Sequence, residues 1–313
     1  FRRVLFRSAE RDRRAADTPE ALAGPRARAD LPPCPDTGTG AGPAQLRGIT
    51  LECAGDGTSV DVAAAVALPE AAAVPEVVPI VPAAILFDLG RAGAWRHHPG
   101  PAEGRAAYLA ASDGPVDEGS VGAGTGARAG GLRGGIGSAS LVLSSGATVG
   151  ALVAVNAVGS PLSPDGRLLA ERLLAPGEVD LPEPDPVAVQ AHWERQEAEA
   201  QALRAGTATT LAVVATDARL DKAGCSKLAG VAHDGFARAL SPVHTAFDGD
   251  TVFALSTPGG VTSTPFDVVE LQTAAADCVS RAIARAVLAA GSVDRSEDGG
   301  AVLPGYRATL SRR

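Results

Sequence analysis

Two adjacent hydroxyl side chains, Thr209 and Thr210, stand at the mouth of the apolar, β-branched run LAVVATDA, with the small residue Ala208 before them. A threonine hydroxyl is a weak nucleophile until a base takes its proton. A free α-amino group on the same residue can serve, because its pKa of roughly 7.7–8.0 lies near working pH. Such an amine exists only if the Ala208–Thr209 peptide bond has been cut. The polar linker in front and the strand behind supply the context for such a cut. The same residues also describe a strand that simply begins with Thr, which is the commoner case.

Other candidate chemistries are weaker. The segment GSVGAGTGARAGGLRGGIGSAS, residues 119–140, is dense in glycine but contains no G-x-G-x-x-G match and no P-loop lysine. It is better read as backbone that must approach another segment closely or offer free N–H groups. His97, His98, His192, His233 and His244 have no metal-ligand spacing, and His233 sits among apolar neighbours as a satisfied core histidine would. A Ser-His-Asp set lacks the G-x-S-x-G elbow. Cys34, Cys53, Cys225 and Cys278 form no C-x-x-C pair. They read as free thiols in a reducing compartment, the cytoplasm. No metal or organic cofactor is expected. A net charge of −8 argues against nucleic acid as a partner. No unbroken apolar run is long enough for a membrane helix.

These residues need elements to position them. Residues 1–73 are rich in Ala, Pro, Arg and Gly with little periodicity, and are expected to be disordered or non-native. With no methionine anywhere, Phe1 is not an initiator, so a fragment or processed product is expected. Residues 74–313 are expected to form a single domain. VPEVVPIVPAAILFDLG, residues 74–90, reads as a strand-like run ending at Asp88-Leu89-Gly90, and residues 101–112 as a short helix. Two strands flank a Ser-Gly turn in LVLSSGATVGALVAVNAVGSP. AVQAHWERQEAEAQALRAG reads as a charged surface helix. The strand LAVVATDA follows, then a helix over residues 221–240 stopped by Pro242. DGDTVFALST is a turn feeding a strand, and residues 264–291 make an amphipathic helix with Pro265 at its start and Asp267 in its first turn.

Five stretches in order add a resemblance: the glycine-rich run, GALVAVNAVG, TTLAVVATDA, AHDGFARALSPVHT and DGDTVFALST. Together they closely resemble the DmpA-type L-aminopeptidase/D-esterase family, and within it the nylon-oligomer (6-aminohexanoate) hydrolases. The resemblance covers residues 77–290. It implies an α/β fold of αββα four-layer type, related to N-terminal-nucleophile enzymes, and a chain that cuts itself between Ala208 and Thr209. By the same resemblance Thr209 is the nucleophile, and Asn156 in AVNAVG donates its side-chain amide to the oxyanion. Asp248 and Asp250 match the acidic pair that orients the new amine and hydroxyl, although Asp-Gly-Asp is also ordinary turn chemistry. Arg133 lies where nylon-hydrolase relatives carry lysine in LKGG.

Relatives in that branch usually have Asn before the nucleophilic Thr, where this chain has Ala208. The family's opening strands and arginine- and glycine-rich segment are not found in residues 1–73. The implied activity is aminopeptidase-like cleavage of small amides or N-terminal peptide bonds through an acyl-enzyme. The implied assembly is a homo-oligomer such as a tetramer of processed heterodimers. An ornithine-acetyltransferase-like acyltransferase, which shares the Ala-Thr junction, the following TDA and the later DGDT, is the alternative reading. An inactive relative lacking part of its first sheet is the third.

Overall fold

A computed structural model describes residues 50–52, 59–61, 81–91, 98–112, 114–200, 208–261, 264–298 and 302–312. The chain divides into two units. In the smaller, which takes in Ala9–Ala83 and Pro99–Leu109, β1 (Thr50–Glu52) pairs antiparallel with β2 (Ser59–Asp61), Leu51 opposite Val60. Each triplet alternates polar, apolar, polar, the period of a strand. This pair falls in the segment expected to lack order; the rest of residues 1–73 lies outside the described residues. Helix α1 (Pro101–Ala110) follows, close to its expected span, with Glu103 accepting the Gly100 N–H at 2.7 Å.

Residues 81–88 are not the expected strand. They belong to no strand or helix, and Ile85 is 91% exposed. Pro82 has no N–H for a ladder, which suits a connecting segment better than a strand. The earlier part of that run, residues 74–80, lies outside the described residues.

The larger unit is built on one four-stranded sheet. Two short strands, β3 (Arg128–Ala129) and β4 (Leu132–Arg133), precede it as a tight antiparallel pair turned by Gly130 and Gly131. Then β5 (Gly135–Val142) and β6 (Thr148–Val155) form the expected hairpin, antiparallel with Val142 opposite Thr148. Helix α2 (Pro186–Ala200) corresponds to the expected charged helix; residues 201–207 lie outside the described residues. Strand β7 (Leu211–Ala218) returns antiparallel to β6. Helices α3 (Lys222–Ala232) and α4 (Asp234–Ala239) cross over to β8 (Thr251–Val261), which runs parallel to β7. The sheet order is β5-β6-β7-β8. Long helix α5 (Pro265–Ala289), the small pair β9 (Val293–Asp294) and β10 (Val302–Leu303), and helix α6 (Tyr306–Leu310) complete the unit.

The expected single helix over 221–240 is broken at His233. A Cβ on Gly235 would lie 2.5 Å from the Ala276 carbonyl oxygen, so the backbone runs too close to α5 for one straight helix to carry ordinary side chains there. Strand β8 begins at Thr251, after the expected turn: Asp248–Asp250 stay outside it and pack against the mouth of β7.

Helix α5 starts as its sequence dictates. Thr264 accepts from the Asp267 N–H at 3.3 Å, Asp267 accepts from the Thr264 N–H at 2.6 Å, and Pro265 takes the first helical position. Its face is small: Ala275, Cys278, Ala282 and Ala286 are fully buried. Small residues let helix and sheet approach closely, and a Cβ on Gly137 of β5 would meet the Ala282 carbonyl oxygen at 1.9 Å. The glycine-rich segment therefore does what was expected of it, bringing backbone against backbone. Every residue of β6 after Thr148 is buried, so that strand is covered on both faces. Phe236 of α4, Leu228 of α3 and Ile283 of α5 are the large side chains at the centre of the core. Burying each contributes on the order of 2–3 kcal/mol.

The mixed helix-and-sheet class is as expected. The described residues carry one four-stranded sheet with helices packed on it, and three two-stranded pairs. Among them no helix is long and apolar enough to cross a membrane. Cys225 and Cys278 are free thiols, and burial pushes the Cys278 thiol up to about 12; Cys34 and Cys53 lie outside the described residues.

Candidate active site

The mouth of β7 is held from both sides. Ala208 bridges in parallel to Asp248, ahead of β8. The Gly249 N–H donates to the Ala208 carbonyl oxygen at 3.0 Å, and the Thr251 N–H donates to the Thr210 carbonyl at 3.0 Å. On the other side the Thr209 N–H donates to the carbonyl oxygen of Asn156, just past the end of β6, at 2.6 Å. These bonds fix the one peptide the sequence singled out. Its own hydroxyl lies against it: Thr209 Oγ1 donates to the Ala208 carbonyl oxygen at 2.6 Å. Ala208 is buried and Thr209 half-buried.

Asn156 is 1% exposed and its side chain makes three hydrogen bonds. Its Oδ1 accepts from Arg91 Nη1 at 2.6 Å and from the Arg128 N–H at 3.1 Å. Its Nδ2 donates to the Phe87 carbonyl oxygen at 3.1 Å. In this geometry the backbone carbonyl of Asn156, rather than its amide, meets the nucleophile residue. Arg91 is held below its usual pKa by burial first and by the positive charge of Arg128 second, with Asp88 opposing.

The two aspartates separate. Asp248 clamps its own turn, accepting from the Thr245 N–H at 3.0 Å and Thr245 Oγ1 at 2.6 Å. Its second oxygen accepts from the Val158 N–H at 3.2 Å, tying that turn to the loop after Asn156. Asp250 reaches the neighbour of the nucleophile: Oδ1 accepts from the Thr210 N–H at 2.9 Å, and Oδ2 lies 2.7 Å from His244 Nδ1. Both carboxylates thus hold the backbone around Thr209, one through the Asn156 loop and one through Thr210. Arg133 is 6% exposed; its guanidinium donates to the Thr125 carbonyl at 2.6 Å and its N–H to the Pro304 carbonyl at 2.7 Å. It braces the glycine-rich segment.

Two groups escape a reading of the sequence. Arg91 and Phe87 flank Asn156 from a segment whose relation to β6 no local pattern reveals. His244 carries no local signal either, yet its Nε2 lies 3.2 Å from His233 Nδ1, and Asp250 completes a chain of three. A carboxylate accepts only, so His244 Nδ1 carries the proton toward Asp250 and, when neutral, offers Nε2 as acceptor to His233. His244 has a φ of 53°, a left-handed conformation unusual outside glycine, and the ring of Phe236 packs on both histidines. Burial, then the adjacent His244, holds His233 below its ordinary pKa, with Asp250 and Asp234 opposing. Among the described residues no three His, Cys, Asp or Glu side chains are arranged to hold a metal ion.

The model of a protein family described as peptidase family S58 matches residues 49–299. An uncharacterized aminopeptidase of Mycobacterium leprae is 43% identical over 243 residues, covering 69% of this chain and 63% of its own length. One from Mycobacterium tuberculosis is 41% identical over 244 residues, covering 74% and 67%. The chain thus spans less than two thirds of the length of the first of these relatives. Among solved structures, a Burkholderia sp. β-aminopeptidase is 29% identical with a TM-score of 0.48, covering 70% of this chain and 61% of that one. The L-aminopeptidase D-Ala-esterase/amidase of Ochrobactrum anthropi, described as a new variant among the Ntn hydrolase fold, is 26% identical with a TM-score of 0.45, covering 64% and 54%.

Proposed function

The chain belongs to peptidase family S58, and from that premise we propose that it is a self-processing N-terminal-threonine hydrolase, cleaving small amides or N-terminal peptide bonds as an aminopeptidase or amidase. The observation that carries this reading is the Thr209 hydroxyl lying on the carbonyl of its own preceding peptide, whose nitrogen is held by Asn156. In the self-cutting step Thr209 Oγ1 bonds to the Ala208 carbonyl carbon. The C–N bond breaks, the hydroxyl proton passes to the Thr209 nitrogen, and an ester joins Ala208 to Oγ1. Water then cleaves that ester, leaving the Ala208 carboxylate, the free hydroxyl and the α-amine of Thr209.

That amine is the base for every later turnover. It takes the proton from Oγ1 as the hydroxyl attacks a substrate carbonyl, and returns it to the leaving amine. The Asn156 carbonyl, which holds the nitrogen as an amide, keeps it in place as an amine. Asp250 holds Thr210, and so the nucleophile's chain neighbour, through a charge-assisted bond. The acyl-enzyme is released by water. By this reading the protein works as a homo-oligomer of processed chains in the cytoplasm.

Turnover of an amino-acid p-nitroanilide by the full chain tests the activity. Thr209→Ser is expected to keep measurable turnover and Thr209→Val to lose it entirely. Undiminished turnover by Thr209→Val would refute the reading.

A further inference from the structure

Gly249 lies between the two aspartates, where turn chemistry is the obvious reason for a glycine. The backbone does not support that reason: the φ of Gly249 is not among the left-handed ones that call for glycine. Its surroundings supply another. A Cβ built there would lie 2.8 Å from Thr209 Oγ1, with Thr209 Cγ2 next at 3.7 Å. The missing side chain is therefore room for the nucleophile's hydroxyl.

The same residue touches the reacting oxygen. The Ala208 carbonyl oxygen accepts from two donors, Thr209 Oγ1 at 2.6 Å and the Gly249 N–H at 3.0 Å. Once the hydroxyl turns from donor to nucleophile, its bond to that oxygen is given up. Negative charge then builds on the oxygen while the Gly249 N–H still faces it. We propose that the Gly249 backbone N–H is an oxyanion donor of this site, first for the chain's own Ala208 carbonyl and then for substrates. The second half follows from the covalent chemistry. A substrate acyl group becomes esterified to the same Oγ1 that first carried Ala208, so its carbonyl occupies the same place.

The donor is fixed before the reaction. The Ala208–Asp248 bridge holds the residue before Gly249, whose carboxylate is bonded to Thr245 and Val158. The carboxylate of Asp250 holds the residue after, on the Thr210 N–H. A dipole that need not reorganise as charge develops is worth far more than a mobile one. The expected side-chain donor, Asn156 Nδ2, is bonded to the Phe87 carbonyl oxygen in the intact chain. That bond uses one of the two N–H groups of Nδ2, and a backbone donor at Gly249 meets the reacting oxygen directly at the self-cutting stage.

This assignment rests on the self-cutting reading, and the experiment separates the two. Glycolic acid placed at position 249 in the full chain by nonsense suppression replaces the N–H with an ester oxygen and adds no side chain. The matching α-hydroxy acid at position 248 is the control, since it deletes a neighbouring N–H that bonds to the Thr245 carbonyl at 3.1 Å, away from the reacting oxygen. Gly249→Ala keeps the N–H and crowds the hydroxyl. Cutting is followed by electrophoresis, with thermal unfolding alongside. The ester at 249 is expected to slow cutting about 100-fold, and to lower kcat with KM little changed once processing has run to completion. Gly249→Ala is expected to slow cutting about tenfold by displacing Oγ1, and the control to stay within about threefold. Equal slowing by both esters, or parental rates for the ester at 249, would overturn the assignment while leaving self-cutting intact. A parent chain that never cuts would overturn both.

Discussion

The carbonyl oxygen of Asn156 lies 2.6 Å from the backbone nitrogen of Thr209. A strand end and a strand start are thereby joined at the atom that self-cutting would release as an amine. The side chain of Asn156 secures that carbonyl through Arg91, the Arg128 N–H and the Phe87 carbonyl. Asn156→Ala removes all three of these bonds from a fully buried position and is expected to cost about 3 kcal/mol, with slower cutting. Asn156→Asp keeps both accepting contacts but sets a carboxylate oxygen against the Phe87 carbonyl oxygen, and is expected to cost about 2 kcal/mol. Urea unfolding of the two variants measures this. A loss below about 0.5 kcal/mol for Asn156→Ala would show that these bonds do not hold the site.

Asp250 joins Thr210 to His244. Its side chain is 4% exposed, so Asp250→Ala strands a buried N–H and releases the imidazole. Self-cutting is expected to fall by at least about tenfold, since misplacing the nucleophile by a fraction of an ångström costs that much. His244→Ala leaves the bond to Thr210 and is expected to fall by less than Asp250→Ala. Cutting rates followed by electrophoresis decide; a larger defect for His244→Ala would make the imidazole, not the carboxylate, the group that holds the nucleophile.

Stability should weaken on the acidic side because of His233. Burial, with His244 adding, lowers its folded pKa below the unfolded value. As pH drops through the unfolded value of about 6.5, the unfolded chain takes up the proton before the folded chain does, so stability is lost until the lowered folded pKa is passed. Thermal midpoints between pH 7.5 and 5 are expected to decline, and His233→Asn to flatten that decline. An unchanged slope in the variant would place the titrating group elsewhere.

The hydrolase and acyltransferase readings share a nucleophile and differ in who receives the acyl group. With N-acetylornithine and glutamate supplied, no acetylglutamate is expected, while small amides are hydrolysed. Accumulation of acetylglutamate would move the chain to the acyltransferase side.

Much of this architecture is written locally. The apolar runs of β6 and β7, the capping residues Thr264 and Asp267, and the hydroxyl at the mouth of LAVVATDA are patterns within a dozen residues. What escapes depends on distant contacts. Nothing near His244 says that it meets His233 and Asp250, because a turn and a helix break bring them together. The glycine at 249 looks like turn chemistry until Thr209 stands beside it. Residues 81–88 show the reverse error: an apolar run suggests a strand, but Pro82 and the lack of a pairing partner leave it a connector. Asp248 and Asp250 resemble one acidic pair in the sequence, whereas each holds a different backbone group.

The central claim is that Thr209 becomes a chain end. Mass spectrometry of the purified full chain, with N-terminal sequencing of any small fragment, tests it most directly. The expected result is two pieces, residues 1–208 and residues 209–313, the second beginning at Thr209. A preparation that hydrolyses amides while every molecule keeps the 208–209 bond contradicts it.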